Sequence, residues 1–225
     1  MSQPEYKNLL TIAERLSEAL TTAIVEGELA PGSKINEPEL ASTYQVSRGP
    51  LREAICRLEG LHLVDRVPHV GARVISLNSD EVTDIYHVRE ALEGMAARLA
   101  ARNMPNDEIN EVQLLLDMHE QNIRQTDGRE YFKQEGGFDF HYCVIHGSKN
   151  NRLIDLLCHE LYHLIRMYRY RSSQTSERPH MALQEHRHII QAIKRHDEEF
   201  AEILMRRHIS TARKNIEQQL LIEET

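Results

Sequence analysis

Apolar residues recur at helical spacing through Leu9, Ile12, Ala13, Leu16, Leu20 and Ile24, and Gly27 closes that run as a natural helix stop. Pro31-Gly32 marks a tight turn, and Ile35 is placed to make a short strand pairing. Asn36 is a candidate N-cap for a second helix over residues 37–44, with Leu40 and Ala41 facing inward. Gln45-Val46-Ser47 then leads into a third helix, where Leu51, Ala54, Ile55 and Leu58 form one apolar stripe. Ser47 is its candidate N-cap through the hydroxyl, and Pro50 sits in the first turn, where a missing N–H costs nothing. Arg48 and Arg52 fall off the stripe. Two helices joined by so short a link form a helix-turn-helix. From Leu61 to Val67 the pattern switches to alternation, Pro68 to Gly71 turns, and Ala72 to Ile75 returns as a second strand. The first part of the chain, 9–76, is therefore predicted to be a winged helix-turn-helix with a small β-hairpin wing.

Beyond Leu77-Asn78-Ser79 the periodicity is helical throughout. Ser79 is the predicted cap of the first of these helices, and Asp80 and Glu81 suit its positive N-terminal end. The predicted helices run Asp80–Arg102, Asn106–Gln125, Arg129–His146, Asn150–Arg171, Glu177–His196 and Glu198–Leu221, separated by polar or glycine- and proline-bearing breaks. The fold class is mostly α, with residues 79–222 as an all-α six-helix bundle carrying every histidine except His62 and His69.

Composition narrows the functions open to such a chain. The net charge of −8 excludes a general polyanion binder, so any contact with nucleic acid has to come from a local cluster and gains from dimerisation. Cys56, Cys143 and Cys158 are scattered in apolar helical settings, as expected of buried free thiols in a reducing cytoplasm. No export signal and no membrane span is expected, because no apolar run approaches the length of about 18 residues that crossing requires.

One set of motifs is specific. Gly27-Glu28-Leu29-Ala30-Pro31-Gly32, Glu39-Leu40-Ala41, Val46-Ser47-Arg48, Pro50-Leu51-Arg52-Glu53-Ala54, Arg57-Leu58 and Gly71-Ala72-Arg73-Val74 occur in register. Residues from Leu16 to Ile75 thereby resemble the DNA-binding domain of the GntR family of bacterial transcription regulators. The resemblance implies that Arg48 and Arg52 reach guanine edges or phosphates, that Ser47 and Gly49 lie against backbone and bases, and that His69 with Gly71 forms the wing tip. Gly49 stands where relatives often carry threonine, and His62 replaces a glycine before the wing. The run from Asp84 to Ala101, then Phe140-His141, Glu185-His186 with Ile189, and Arg207-His208-Ile209 resemble the FadR-type C-terminal (FCD) ligand-binding domain. The helix number favours its VanR-like branch.

This second resemblance singles out His141, His186 and His208, which fall on three different predicted helices. Packed as a bundle, they can converge on one divalent ion, zinc or nickel by ligand type, with a position left open. In the family an acidic residue four before the first histidine completes the site; here that position is Gly137. Asp139 is only two residues from His141, a spacing that sends side chains to different helix faces, so it is not expected to join. The plainer alternative is a metal-free polar pocket that binds an acidic effector directly. His159 and His163 are expected to be solvated or pocket-lining, and His146, His188 and His196 to lie on the surface. Arg89 is aimed by the resemblance into the effector cavity, against the alternative of a salt bridge with Glu90 or Glu93.

The expectation is a cytoplasmic, non-enzymatic regulator that binds a palindromic operator as a homodimer. Repression follows on family grounds, with a small organic acid as effector held beside the metal and Arg89. The rivals are a sensor in which the ion is the signal and a metal-dependent hydrolase fused to a DNA-binding domain.

Overall fold

The computed structural model describes residues 10–126, 139–172 and 178–223. Two compact units meet between Ser76 and Leu77.

The first unit begins with α1 (Ile12–Val25), closed at its start by a capping box between Thr11 and Glu14. Ala13, Leu16, Leu20 and Ile24 are buried as their spacing requires, whereas Ile12 is exposed and Leu9 lies outside the described residues. Gly27 adopts φ +80°, the left-handed geometry that ends the helix without a Cβ clash. α2 (Glu37–Thr43) and α3 (Arg48–Gly60) follow, and α3 buries Leu51, Ala54, Ile55 and Leu58 against α1. Leu51 is fully enclosed. Leu51→Ala is expected to cost about 2–5 kcal/mol, read as a lowered midpoint in urea denaturation at unchanged m-value.

Strands β1 (Val64–Val67) and β2 (Gly71–Val74) form the antiparallel hairpin, with Val64 opposite Val74 and Val67 opposite Gly71. β1 is shorter than predicted, because Leu61 closes α3 and His62 takes φ +56°. The predicted pairing at Ile35 exists: its N–H donates to the Ala72 carbonyl, and Lys34 bridges Arg73. The predicted side-chain caps do not form. Ser47 and Asn36 occupy the N-cap positions with extended backbone, but Ser47 makes no capping hydrogen bond and Asn36 donates to the Glu39 carboxylate instead.

The second unit is a helical bundle. α4 (Ser79–Asn103) is capped by Asn78, not Ser79: the Asn78 side chain accepts from Glu81 N–H, and the Glu81 carboxylate accepts from Asn78 N–H. This reciprocal pair satisfies two otherwise free donors, which Ser79, one residue into the helix, is misplaced to do. α5 (Asn106–Thr126) follows, then α6 (Phe140–Gly147), α7 (Asn151–Ile154), a π-helical segment (Asp155–Glu160), α8 (Tyr162–Ser172), α9 (Arg178–Lys194) and α10 (Glu198–Glu223). The single helix expected over 150–171 is thus broken by a wide turn, in which Leu161 N–H donates to Leu156.

α4 and α10 lie against each other, and Arg98 and Arg102 of α4 pair with Glu202 and Glu198 of α10. Gly94 allows the close approach, since a Cβ there would meet Arg206 Cγ at 2.6 Å. α9 packs on α5 and α10, which sets histidines from α6, α9 and α10 around one interior point. Among the described residues no helix is long and apolar enough to cross a membrane.

The three cysteines are free, and one of them departs from the expected burial. Cys158 is buried and Cys143 half-buried, and burial pushes their thiols up to about 12 and about 11. Cys56 is exposed, because it falls one residue past Ile55, off the buried stripe of α3.

Candidate DNA-reading face and candidate metal centre

The stripe that buries one side of α3 leaves its N-terminal end open. Ser47, Arg48, Gly49 and Arg52 are all exposed there, as are His69 and Gly71 at the hairpin tip. His69 has φ +62° and Gly71 φ +102°, so the tip is a tight left-handed corner. The starts of α2 and α3 and the hairpin enclose a cleft of about 730 Å³, lined in part by Lys34, Asn36, Glu37, Arg48, Arg52 and Gly71. Arg48 has no ion-pair partner among the described residues. Arg52 has one: its Nε donates to Glu37 Oε2 at 3.1 Å. Arg57 and Arg66, further along, pair with Glu53 and Glu59. An exposed helix end with arginines, beside a hairpin, is suited to a major groove with the wing on the backbone.

In the second unit His141, His186 and His208 converge. His208 Nε2 lies 3.2 Å from His141 Nε2 and 3.2 Å from His186 Nε2, and all three rings are buried. Phe140 stacks on His186 with centroids 4.0 Å apart. The far nitrogens are held by acids that the sequence reading did not assign: His141 Nδ1 is 2.6 Å from Glu93 Oε2, and His208 Nδ1 is 2.6 Å from Glu185 Oε2. Each acid is also held by an arginine. Arg89 Nε donates to Glu93 at 2.8 Å, and Arg178 Nη1 to Glu185 at 2.8 Å.

This wiring sets the protonation states. Burial alone would raise the Glu93 carboxyl, but Arg89 and His141 overcome it and hold it far below the usual carboxylate range. Burial likewise opposes ionisation of Glu185, and His208 with Arg178 wins there too. Burial lowers His141 against the pull of Glu93, lowers His208 to about 4 against Glu185, and, with the other two imidazoles beside it, takes His186 well down. Carboxylates are then ionised and imidazoles neutral near pH 7. An ionised carboxylate at Nδ1 favours the tautomer with its proton there, which turns the Nε2 atoms of His141 and His208 toward each other as acceptors.

Asp139 does not join the histidine ligands. Its Oδ1 caps α6 by accepting from His141 N–H at 2.9 Å, and its Oδ2 accepts from Arg169 at 2.9 Å. Both oxygens are therefore engaged, one capping α6 and the other tying it to Arg169 of α8. Gly137 lies outside the described residues. The cavity at the histidines is about 20 Å³, bordered also by Arg89, Arg169 and Arg178, which is room for one ion or water.

Residues 12–74 match the family model described as bacterial regulatory proteins, gntR family, and residues 84–211 match the FCD domain. The chain belongs to the GntR family. It is 31% identical over 185 residues to the uncharacterized HTH-type transcriptional regulator YdhC of Bacillus subtilis, covering 81% of this chain and 80% of that one. It is 28% identical over 204 residues to the probable D-xylose utilization operon transcriptional repressor of Paenarthrobacter nicotinovorans, covering 89% and 86%. Among solved structures, E. coli McbR/YncC superposes with a TM-score of 0.77 at 19% identity over 94% of this chain and 99% of that one, a likeness of fold.

This GntR-family chain is accordingly a DNA-binding transcriptional regulator and not an enzyme. In the regulator Arg89 borders the histidine cavity, but it is also one partner of a buried i,i+4 pair with Glu93 on its own helix. Its Nη1 remains buried with no hydrogen-bond partner among the described residues, and its guanidinium lies 4.7 Å from the Tyr86 ring centre. His159 is exposed and paired with Asp155; His188 and His196 are exposed, whereas His146 is half-buried against Tyr142 rather than on the surface. Arg169 and Arg178 are cavity residues that the sequence reading missed. The adjacency Glu185-His186 is the visible hint, since an acid beside one ligand can serve another across a helix contact.

Proposed function

We propose that this regulator represses transcription as a homodimer on a palindromic operator, and that a divalent metal ion and a small organic acid in the FCD domain control its grip. The observation that carries the metal reading is the 3.2 Å approach of the His141 and His208 Nε2 atoms, with each ring backed at Nδ1 by a carboxylate that favours a proton there. Two lone pairs 3.2 Å apart with no proton between them repel each other, and a cation between them removes that repulsion. Ligands on one tetrahedral zinc at about 2.0–2.1 Å stand about 3.3 Å apart, which this spacing fits. His141, His186 and His208 would hold the ion, while Glu93 and Glu185 orient two of the rings from behind. A bound divalent ion would supply a positive, open coordination position for a carboxylate, with Arg89, Arg169 and Arg178 around it.

Dimerisation follows from the reading face. One short helix makes few base contacts, the chain as a whole carries −8, and a two-fold axis doubles the contacts on a symmetric site. The effector acts only if it binds the DNA-competent and incompetent arrangements with different affinity. The cavity of about 20 Å³ supports a second reading: it holds an ion but no organic acid without opening, as a metal sensor would require.

Zinc or nickel in excess is expected to raise Tm by several degrees, since saturation at 100 times Kd adds about 2.7 kcal/mol. Chelation reverses the shift, and His208→Ala abolishes it. Absence of stoichiometric metal by elemental analysis together with no such shift overturns the metal reading. Operator affinity measured by anisotropy with metal, with organic acids, and with both separates the two readings. A response to metal alone favours the sensor.

A further inference from the structure

We propose that Glu37 is the residue that positions Arg52 for base reading, and that it sets sequence specificity at the base pair Arg52 meets. The inference rests on Arg52 as a base-reading residue and names a second residue behind it. Arg52 donates through Nε to Glu37 Oε2 at 3.1 Å and makes no other hydrogen bond among the described residues. With Nε occupied, the hydrogen-bond edge left for DNA is the end formed by Nη1 and Nη2. Those two donors match O6 and N7 of a single guanine.

The pair is half-open: the Arg52 side chain is 65% exposed and that of Glu37 29%. An ion pair in that setting adds little to stability. Its effect lies in orientation. A free arginine at this place samples many rotamers, several of which reach phosphate oxygens and carry no sequence information. Glu37 comes from a different helix, so the anchor is independent of motions of α3. Its own base is firm: Pro38 follows it at the start of α2, and Asn36 Nδ2 is bound to Glu39 Oε2 at 3.0 Å. Glu37 also borders the cleft with Lys34 and Arg48, so its charge opposes phosphate there. One carboxylate then does two things. It weakens binding to arbitrary DNA, and it strengthens discrimination where Arg52 finds its guanine.

The test selects binding sites from a random duplex library with the full-length wild type, Glu37→Ala, Glu37→Gln and Arg52→Lys. Arg52→Lys keeps the charge but lacks the fork, so the position at which guanine preference falls identifies the base that Arg52 reads. Glu37→Ala is expected to lose preference at that same position, by about tenfold, while binding random DNA as well as wild type or a few fold better. Glu37→Gln retains an acceptor for Nε without the charge. It is expected to keep most of the preference and to share the gain on random DNA. Preference intact in Glu37→Ala overturns the proposal. So does loss at a different position, which would make Glu37 a base reader itself, and so does uniform loss of binding by a folded variant. No guanine position altered by Arg52→Lys would instead sink the reading of Arg52, a separable failure.

Discussion

Replacing Arg52 by alanine is expected to weaken operator binding by well over an order of magnitude at physiological salt. A bidentate arginine–guanine contact carries about 1–3 kcal/mol of discrimination, and a symmetric dimer makes it twice. Losing both weakens the complex by about 30-fold to 10⁴-fold at 1.4 kcal/mol per decade. The fold gives no reason for a compensating loss of stability. Arg52 is exposed, it lies off the buried stripe of α3, and its one ion pair among the described residues is at the surface. Fluorescence anisotropy on operator and random duplexes, with Tm and metal content as controls, checks this. Binding within threefold of wild type would show that Arg52 stays outside the base edge. The salt dependence adds a second readout. A lost base contact leaves the slope of log K against log salt nearly unchanged, whereas a lost phosphate contact reduces it by about one.

How much of this arrangement is legible in the sequence differs between the two units. The reading helix is legible because one local period decides it: Leu51, Ala54, Ile55 and Leu58 must turn inward, so Arg48 and Arg52 must turn out. The returning strand is legible for the same reason, with period two, since Ala72 and Val74 are buried and Gly71 and Arg73 exposed, whereas β1 buries only Val64. The histidine centre is only half so. Resemblance picks out His141, His186 and His208, but Glu93 and Glu185 stand 48 and 23 residues from the rings they hold, on other helices. No local period gives the rotational setting of one helix against another, so acids behind the ligands appear only once the bundle is packed. The π-helical turn at Asp155–Glu160 hides for a related reason: its residues suit an α-helix, and packing selects the wider turn. The cap at Asn78 is a choice between two adjacent capping residues. The glutamate three positions ahead of it, Glu81, makes that choice, a signal that Ser79 lacks.

The same packing argument predicts the largest effect on stability. Glu93 is buried between Arg89 and His141, and Glu93→Ala leaves a buried guanidinium without its carboxylate. Breaking a buried pair from one side costs about 3–5 kcal/mol. For a unit of this size that corresponds to a fall in Tm of about 10 °C. The loss should be recoverable. Arg89→Met on the Glu93→Ala background removes the stranded charge and fills its volume with apolar atoms, which restores most of the stability. Metal affinity should not recover with it. Without the Glu93 carboxylate nothing holds the proton of His141 on Nδ1, and loss of such an outer partner lowers metal affinity about 10- to 100-fold. Thermal melting of the single and double variants, each with and without zinc, resolves the two roles. A single variant that melts within 2 °C of wild type would mean Arg89 finds another partner or water. A double variant that regains full zinc affinity would mean that Glu93 serves the charge of Arg89 alone and leaves His141 to orient itself.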